Sequence, residues 1–228
     1  MNTRLLLIRH GETTSNVSGE LDTGAPGAQL TTLGRRQASG AATALAREAF
    51  GSVHVSQLVR TQQTAEPIVS ARNIVAATAP GLEEISAGDF EMRSDIEAVK
   101  GYHSTISQWV HGTLDTTMPG GETGHDFLKR YNNAIEQVIA ESRDVSRGGQ
   151  VAVAVSHGAA IRTWVANQIP GGYSTPVVTE LLHNTGCVTL EGNPHEGWRL
   201  VEWHSEPIGG RYLEDLGAAD PTRKPVDE

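Results

Sequence analysis

The sequence lacks the features that would mark a disulfide-stabilised, membrane-bound or nucleic-acid-binding protein. Its single cysteine, Cys187, excludes an intramolecular disulfide and a zinc site built from thiolates. No apolar run has the length of a membrane span, and the first nine residues lack the core of a signal peptide. We therefore expect a cytoplasmic protein that contacts no membrane.

Positive charge is also scarce. The 18 Lys and Arg residues are outnumbered by 27 Asp and Glu residues, for a formal net charge of −9. Such a charge argues against general binding to nucleic acid or to acidic membranes. An anionic ligand would have to be bound by a local cluster of cations.

The length of 228 residues suits one domain with a sizeable core, and no linker composition divides the chain. We expect a single domain over residues 1–204. Residues 205–228 combine Pro and Gly with charged residues, which predicts an irregular C-terminal tail.

Two similar stretches organise the rest of the chain. The apolar residues 5–8 run into Arg9, His10 and Gly11, and the apolar residues 151–155 run into Ser156, His157 and Gly158. Such runs predict strands buried on both faces, as in the parallel sheets of α/β proteins. Because ligands bind at the carboxyl ends of these strands, the two histidines indicate one shared site.

Periodicity and turn residues predict the remaining elements. Residues 13–28 are polar and favour a loop, and the pair Val177 and Val178 favours a strand. The other predicted helices cover residues 31–49, the stretch after Ser56, 94–111, the stretch after Pro119 and 159–167. Pro67 is tolerable in the helix after Ser56 if it lies in the first turn. The other predicted strands are 53–55, 74–77, 187–190 and 198–203.

The side chains expected at the strand ends suit a phosphate group. They are Arg9, Arg60, His10, His157 and one carboxylate from either Glu83 or Glu84. Guanidinium groups and amides at helix starts bind phosphate oxygens, and the cations would lower the pKa of His10 and keep it a neutral nucleophile. A protonated carboxyl group could then release the leaving oxygen.

A metal site is the rival interpretation for clustered histidines. No periodic helix carries a pair of histidines four residues apart, and the neighbouring arginines would repel a cation. We expect neither a metal nor another cofactor.

The motif Arg9-His10-Gly11-Glu12-Thr13 with Asn16 resembles the signature of the histidine phosphatase superfamily, in its phosphoglycerate-mutase-like branch. The resemblance extends from about Leu5 to Leu190. Further motifs follow in the family's order at residues 33–38, 56–65, 82–91, 119–122 and 156–158.

This resemblance implies a three-layer α/β/α sandwich with a mostly parallel central sheet. It also implies that His10 forms a phosphohistidine and that Arg9, Arg60 and His157 complete the phosphate pocket. Within the family's Leu-x-Glu-x-x-x-Gly frame, Glu84 becomes the general acid and later the base. Asn16, Thr23 and Gly158 are expected to contact the substrate.

The sequence favours a phosphatase, acting on a small phosphomonoester, over two alternatives. A phosphoglycerate mutase resembles its relatives in a longer segment with a pair of arginines, whereas residues 92–118 carry only Arg93 and Lys100. Cofactor-dependent mutases usually have Asn at the position of Ala159. A non-catalytic phospho-ligand or partner-binding module would not need both His10 and Glu84. A homodimer is compatible with the sequence.

Overall fold

A central sheet organises the protein. The computed structural model describes residues 2–143, 151–174 and 176–223. Within these residues six strands form one sheet in the order β3-β2-β4-β1-β5-β6. The strands are β1 (Thr3–Arg9), β2 (Val53–Val55), β3 (Ala76–Thr78), β4 (Val151–Ser156), β5 (Cys187–Asn193) and β6 (Gly197–His204).

The sheet is mostly parallel, as predicted. Strands β1 to β4 pair in parallel, whereas β5 and β6 form an antiparallel edge beside β1. Helices pack on both faces of this sheet, which confirms the α/β class. They are α1 (Thr14–Ser18), α2 (Thr32–Ala44), α3 (Val59–Ser70), α4 (Ile96–Val110), α5 (Gly124–Arg143), α6 (Gly158–Gln168) and α7 (Pro176–Thr179).

Alternation along β1 divides the core into two halves. Leu5 and Leu7 face the half that α4, α5, α6 and α7 cover, and Leu6 and Ile8 face the half covered by α2 and α3. All four side chains are buried, so the strand is covered on both faces. Among the described residues no helix combines the length and the apolar character needed to cross a bilayer.

Helix α5 confirms the clearest periodic pattern of the sequence. Of its predicted core residues, one is only half-buried and packs against the core, Leu128. The others are buried: Phe127, Tyr131, Ala134, Ile135, Val138 and Ile139. Phe127 stacks on Trp109 of α4 with ring centroids 6.0 Å apart. Burial of each large apolar side chain contributes roughly 1.5–3 kcal/mol, so this face anchors α5 to the sheet.

Three local predictions were wrong. Val177 and Val178 lie in α7, not in a strand, because Pro176 opens a short helical turn with its preset φ. The loop after Arg9 contains α1, which begins at the capping box of Thr13 and Asn16. Pro67 lies inside α3 rather than in its first turn, so the helix continues for three residues without that N–H.

The C-terminal segment packs against the domain up to residue 223. It contains one turn of 3-10 helix, Arg211–Leu213, and is otherwise irregular. Leu213 is buried, and its carbonyl oxygen accepts a hydrogen bond of 2.8 Å from Gln37 Nε2 of α2. Asp220 is also buried. The segment therefore contributes side chains to the interior although its composition predicted only a tail.

Candidate active site

Neighbouring parallel strands bring the two predicted histidines together. Strands β1 and β4 pair in a register that sets Arg9 opposite Ser156, so His10 and His157 follow at the same edge of the sheet. The imidazole centroids are 5.2 Å apart, and both side chains are buried. The structure thus places the two imidazoles side by side, as the adjacent strands predicted.

Hydrogen bonding determines the tautomer of His10. Its Nδ1 lies 2.7 Å from the carbonyl oxygen of Gly11. A carbonyl oxygen only accepts, so Nδ1 carries the proton and the lone pair of Nε2 is available. Burial lowers the pKa of His10 well below its usual value, and the charges of Arg60 and Arg9 lower it further. His10 is therefore neutral.

The second imidazole is held in the opposite tautomer. Arg60 Nε donates a hydrogen bond of 3.2 Å to His157 Nδ1, and His157 Nε2 lies 2.8 Å from Ser56 Oγ. Because a guanidinium only donates, Nδ1 is unprotonated and Nε2 donates to Ser56. Burial and the charge of Arg60 lower the pKa of His157.

Both predicted arginines present an unused donor inside the protein. Arg60 Nη2 donates to the carbonyl oxygen of Asp22 at 2.9 Å, whereas Arg60 Nη1 is buried without a hydrogen-bond partner. Arg9 Nη1 donates to the carbonyl oxygen of Leu182 at 2.7 Å, and Arg9 Nε is likewise buried and unpartnered. Buried N–H groups of this kind usually have an acceptor, so these donors suit an anionic ligand.

The structure distinguishes the two candidate carboxylates. Glu84 is buried at the start of α6, where Oε1 accepts from the N–H groups of Ile85 at 2.9 Å and Ala160 at 2.8 Å. Its Oε2 accepts a longer bond of 3.2 Å from Ala159. Burial raises the pKa of Glu84, although these amides and Arg60 oppose the shift. Glu83 is only half-buried.

The side chain of Asn16 contacts Asp220, the ion-pair partner of Arg9, and forms three hydrogen bonds within the protein. Its Oδ1 accepts from Thr13 N at 3.0 Å and from Asn184 Nδ2 at 3.2 Å, and its Nδ2 donates to Asp220 at 3.2 Å. These bonds use the amide oxygen and one of the two N–H groups of Nδ2.

Thr23 and Gly158 also lie at the site in supporting positions. The Thr23 hydroxyl donates to Glu91 and accepts from Ala87 N at 2.9 Å, which ties this loop to residues 87–91. A Cβ on Gly158 would lie 2.6 Å from the carbonyl oxygen of Thr222. Only glycine allows the C-terminal segment to approach so closely.

Sequence reasoning missed several residues that complete the site. Asp220 Oδ2 accepts a hydrogen bond of 2.5 Å from Arg9 Nη2, and Thr222 Oγ1 accepts one of 2.8 Å from the same atom. Asp22 and Ser56 orient Arg60 and His157. No periodic pattern marks such residues, since each lies in irregular chain and reaches the site only after folding.

The described part of the chain holds no group of three or more His, Cys, Asp or Glu side chains arranged to bind a metal ion. The charged side chains that converge on His10 are the guanidiniums of Arg9 and Arg60. Guanidinium groups bind anions and repel metal cations.

The known proteins that this chain resembles include phosphatases and a probable phosphoglycerate mutase. A curated protein of Mycobacterium tuberculosis, PE-PGRS family protein PE_PGRS11, is 33% identical over 216 residues, which are 90% of this chain but only 37% of that protein. A probable phosphoglycerate mutase of Yersinia enterocolitica is 30% identical, over 95% of this chain and 97% of its own length. The adenosylcobalamin/alpha-ribazole phosphatase of Escherichia coli is 32% identical, over 73% and 79%.

Solved structures share the fold. A mycobacterial glucosyl-3-phosphoglycerate phosphatase superposes with a TM-score of 0.74 at 23% identity, covering 90% of this chain and 100% of that one. The family model of the histidine phosphatase superfamily, branch 1, matches residues 5–206. The chain therefore belongs to branch 1 of the histidine phosphatase superfamily and is an enzyme of the phosphatase type.

Proposed function

We propose that the chain is a metal-independent phosphatase of small phosphomonoesters that works through a phosphohistidine. The observation that best supports this proposal is the hydrogen bond from His10 Nδ1 to the Gly11 carbonyl oxygen, which leaves Nε2 as a neutral nucleophile. Nε2 attacks phosphorus, and the bond from phosphorus to the ester oxygen breaks. The phosphoryl group passes to His10, and the alcohol leaves with a proton.

Glu84 supplies that proton. Its burial raises the pKa of the carboxyl group, which favours the protonated form that an acid catalyst needs. After the alcohol has left, the carboxylate of Glu84 removes a proton from water. The resulting hydroxide attacks phosphorus, and the bond between phosphorus and His10 Nε2 breaks. Inorganic phosphate leaves, and His10 is free again.

The phosphoryl oxygens are stabilised by the donors that the fold leaves unused. Arg9 Nε and Arg60 Nη1 are buried without hydrogen-bond partners, and Nη1 lies 3.7 Å from Asp22 Oδ2. Arg60 also orients His157. Fixed donors aimed at the transferred group stabilise its transition state without reorganisation. Arg9 is ion-paired with Asp220, and Arg60 lies 3.7 Å from the Asp22 carboxylate. The two guanidiniums therefore bind phosphate through directed N–H donors, and the proposal invokes no metal.

The segment between Met92 and Met118 supports a phosphatase over the mutase alternative. Arg93 forms hydrogen bonds of 2.8 and 2.9 Å to the Asp95 carboxylate and lies 3.7 Å from Glu97. Tyr102 and Trp109 of α4 are buried in the core. Of the two cations in this segment, Lys100 alone has no carboxylate partner among the described ion pairs, so the segment offers no cation pair for a second anion.

The test is hydrolysis of p-nitrophenyl phosphate and a panel of small phosphomonoesters in the presence of EDTA. His10→Ala should abolish phosphate release, and the wild type should gain a phosphoryl group on the peptide that contains His10. His111→Ala, which changes an exposed histidine, is the matched control and should retain activity.

Three outcomes would contradict the proposal. Activity that EDTA abolishes would indicate a metal enzyme. Isomerisation of 3-phosphoglycerate without phosphate release would favour the mutase. Binding of inorganic phosphate with no turnover of any ester would favour a binding module.

A further inference from the structure

One carboxylate outside the proposed chemistry organises the loop that holds Arg60. Glu91 Oε1 accepts hydrogen bonds of 2.9 Å from the N–H groups of both Thr23 and Gly24, and Glu91 Oε2 accepts one from the Thr23 hydroxyl. Hydrogen bonds to a carboxylate are among the stronger ones in proteins. Glu91 therefore fixes the backbone of two neighbouring residues with a single side chain.

The loop depends on such a contact because it has no regular structure of its own. Residues 20–29, between α1 and α2, form neither helix nor strand. Backbone hydrogen bonds join the loop to the rest of the protein at Leu21, which bonds Arg93 and Met92, and at Pro26, which accepts from Val59 N. Thr23 and Gly24 lie between these two points, where the Glu91 carboxylate binds them.

The peptide group that Glu91 binds is the one that orients Arg60. The Thr23 N–H donates to Glu91, and the carbonyl oxygen of Asp22 in the same peptide group accepts from Arg60 Nη2 at 2.9 Å. This peptide is trans, so its N–H and C=O groups point in opposite directions. The planar group therefore spans the space between the carboxylate and the guanidinium, and a rotation that broke one bond would break the other.

The loop also packs directly against the guanidinium. A Cβ on Gly27 would lie 2.4 Å from Arg60 Nη1, and Asp22 Oδ2 lies 3.7 Å from the same atom. The position of the loop thus sets the direction of Nη1, the donor that has no hydrogen-bond partner in the protein.

We propose that Glu91 is a positioning residue for Arg60. Its carboxylate fixes the peptide group between Asp22 and Thr23, and that peptide group directs Arg60 Nη1 at the transferred phosphoryl group. Glu91 acts through this peptide group and is not itself a catalytic residue. The inference rests on the proposed function, in which Arg60 binds the phosphoryl oxygens.

The negative charge of Glu91 offers a second way of acting on Arg60. Burial lowers the pKa of Arg60, and the charges of Asp22, Glu84 and Glu91 oppose this shift. Glu91→Gln separates charge from hydrogen bonding, because the amide oxygen can still accept from Thr23 N and Gly24 N while the charge is gone. If Glu91 acts by position, the glutamine variant keeps its function and the alanine variant does not.

Binding of inorganic phosphate, measured by calorimetry, reports the state of the site without turnover. Glu91→Ala should raise the dissociation constant by about 10- to 100-fold, the value of one hydrogen bond to a charged group. Glu91→Gln should stay within about threefold of wild type, as for a substitution that keeps its contacts. Glu97→Ala removes an 88% exposed carboxylate, so as the matched control it should leave the dissociation constant unchanged.

Rates and a double-mutant cycle test whether Glu91 acts through Arg60. In Glu91→Ala, kcat/KM should fall by the same factor for p-nitrophenyl phosphate and glycerol 3-phosphate, because Arg60 binds the phosphoryl group that both esters share. In the Arg60→Ala protein the substitution of Glu91 should cause no further loss of phosphate affinity or of kcat/KM, because the group that it positions is absent. Glu91→Ser, which admits water beside the freed amides, replaces Glu91→Ala if that variant does not fold.

An unchanged dissociation constant in Glu91→Ala and Glu91→Ser would overturn the proposal, even if the binding stoichiometry fell, because a purely structural role reduces only the folded fraction. Equal losses in Glu91→Gln and Glu91→Ala would assign the effect to charge and would overturn it as well. So would a loss of the same size with Arg60 present and absent. If no ester were hydrolysed but phosphate affinity changed as expected, the proposed function would fail while the assignment of Glu91 held.

Discussion

Replacing Glu84 by glutamine separates acid catalysis from the rest of the site. The amide oxygen can keep the two bonds that Oε1 accepts from Ile85 and Ala160. The amide nitrogen then faces Ala159 N, where the present contact is the longest of the three at 3.2 Å. The substitution removes the acidic proton and leaves the shape of the site nearly unchanged.

The expected effects differ widely in size. Loss of one backbone hydrogen bond should lower the free energy of unfolding by about 1 kcal/mol. General acid catalysis contributes about 10²–10⁴ in rate, so kcat/KM for an alkyl phosphate such as glycerol 3-phosphate should fall by that factor. The corresponding rise of the barrier is about 3–5 kcal/mol. p-Nitrophenolate leaves without a proton, so kcat/KM for its ester should fall far less.

The assay compares kcat/KM for the two esters in wild type, Glu84→Gln and Glu83→Gln. This parameter reports the transfer to His10, because the alcohol leaves before the phosphohistidine is hydrolysed. Glu83 carries the same group one residue away and accepts from Gln57 N at 3.1 Å, outside the proposed chemistry. Its variant should remain within about threefold of wild type for both esters, as for a partly exposed substitution.

Equal losses on both esters in Glu84→Gln would refute the assignment of Glu84 as acid. A large loss in Glu83→Gln with little change in Glu84→Gln would move the acid to the neighbouring residue. Thermal unfolding of each variant shows whether a loss of activity is a loss of folded protein.

Two further predictions concern pH and packing. Burial raises the pKa of Glu84, and only the protonated carboxyl group donates. The value of kcat/KM for glycerol 3-phosphate should therefore fall as pH rises through this pKa. If kcat/KM of Glu84→Gln still fell at high pH, the titrating group would be another residue. Gly34→Ala should lower the free energy of unfolding, measured in urea, by about 1–3 kcal/mol, because its Cβ would overlap the carbonyl oxygen of Glu12. Since Glu12 lies two residues after His10, activity should fall as well. Gly112→Ala meets no atom within 4 Å, so only its φ of +87° opposes it and activity should stay unchanged; equal activity losses would contradict this account.

Local patterns were sufficient for most of the fold. The apolar runs before His10 and His157 predicted adjacent buried strands, and the structure pairs them in parallel. The period of α5 predicted its buried face. Short elements were less predictable, because a pair such as Val177 and Val178 suits a strand and a helical turn equally and tertiary packing decides between them.

The sequence by itself determined the class of the fold and the types of residue at the site. A histidine after each buried strand must lie at the strand's carboxyl end, so His10 and His157 were bound to meet once β1 and β4 paired. Only the tertiary structure decided the tautomer of each imidazole, the burial of Glu84 against α6 and the contact of Asp220 with Arg9. Asp220 is 211 residues from Arg9, and no local pattern encodes a contact between groups so far apart in the chain.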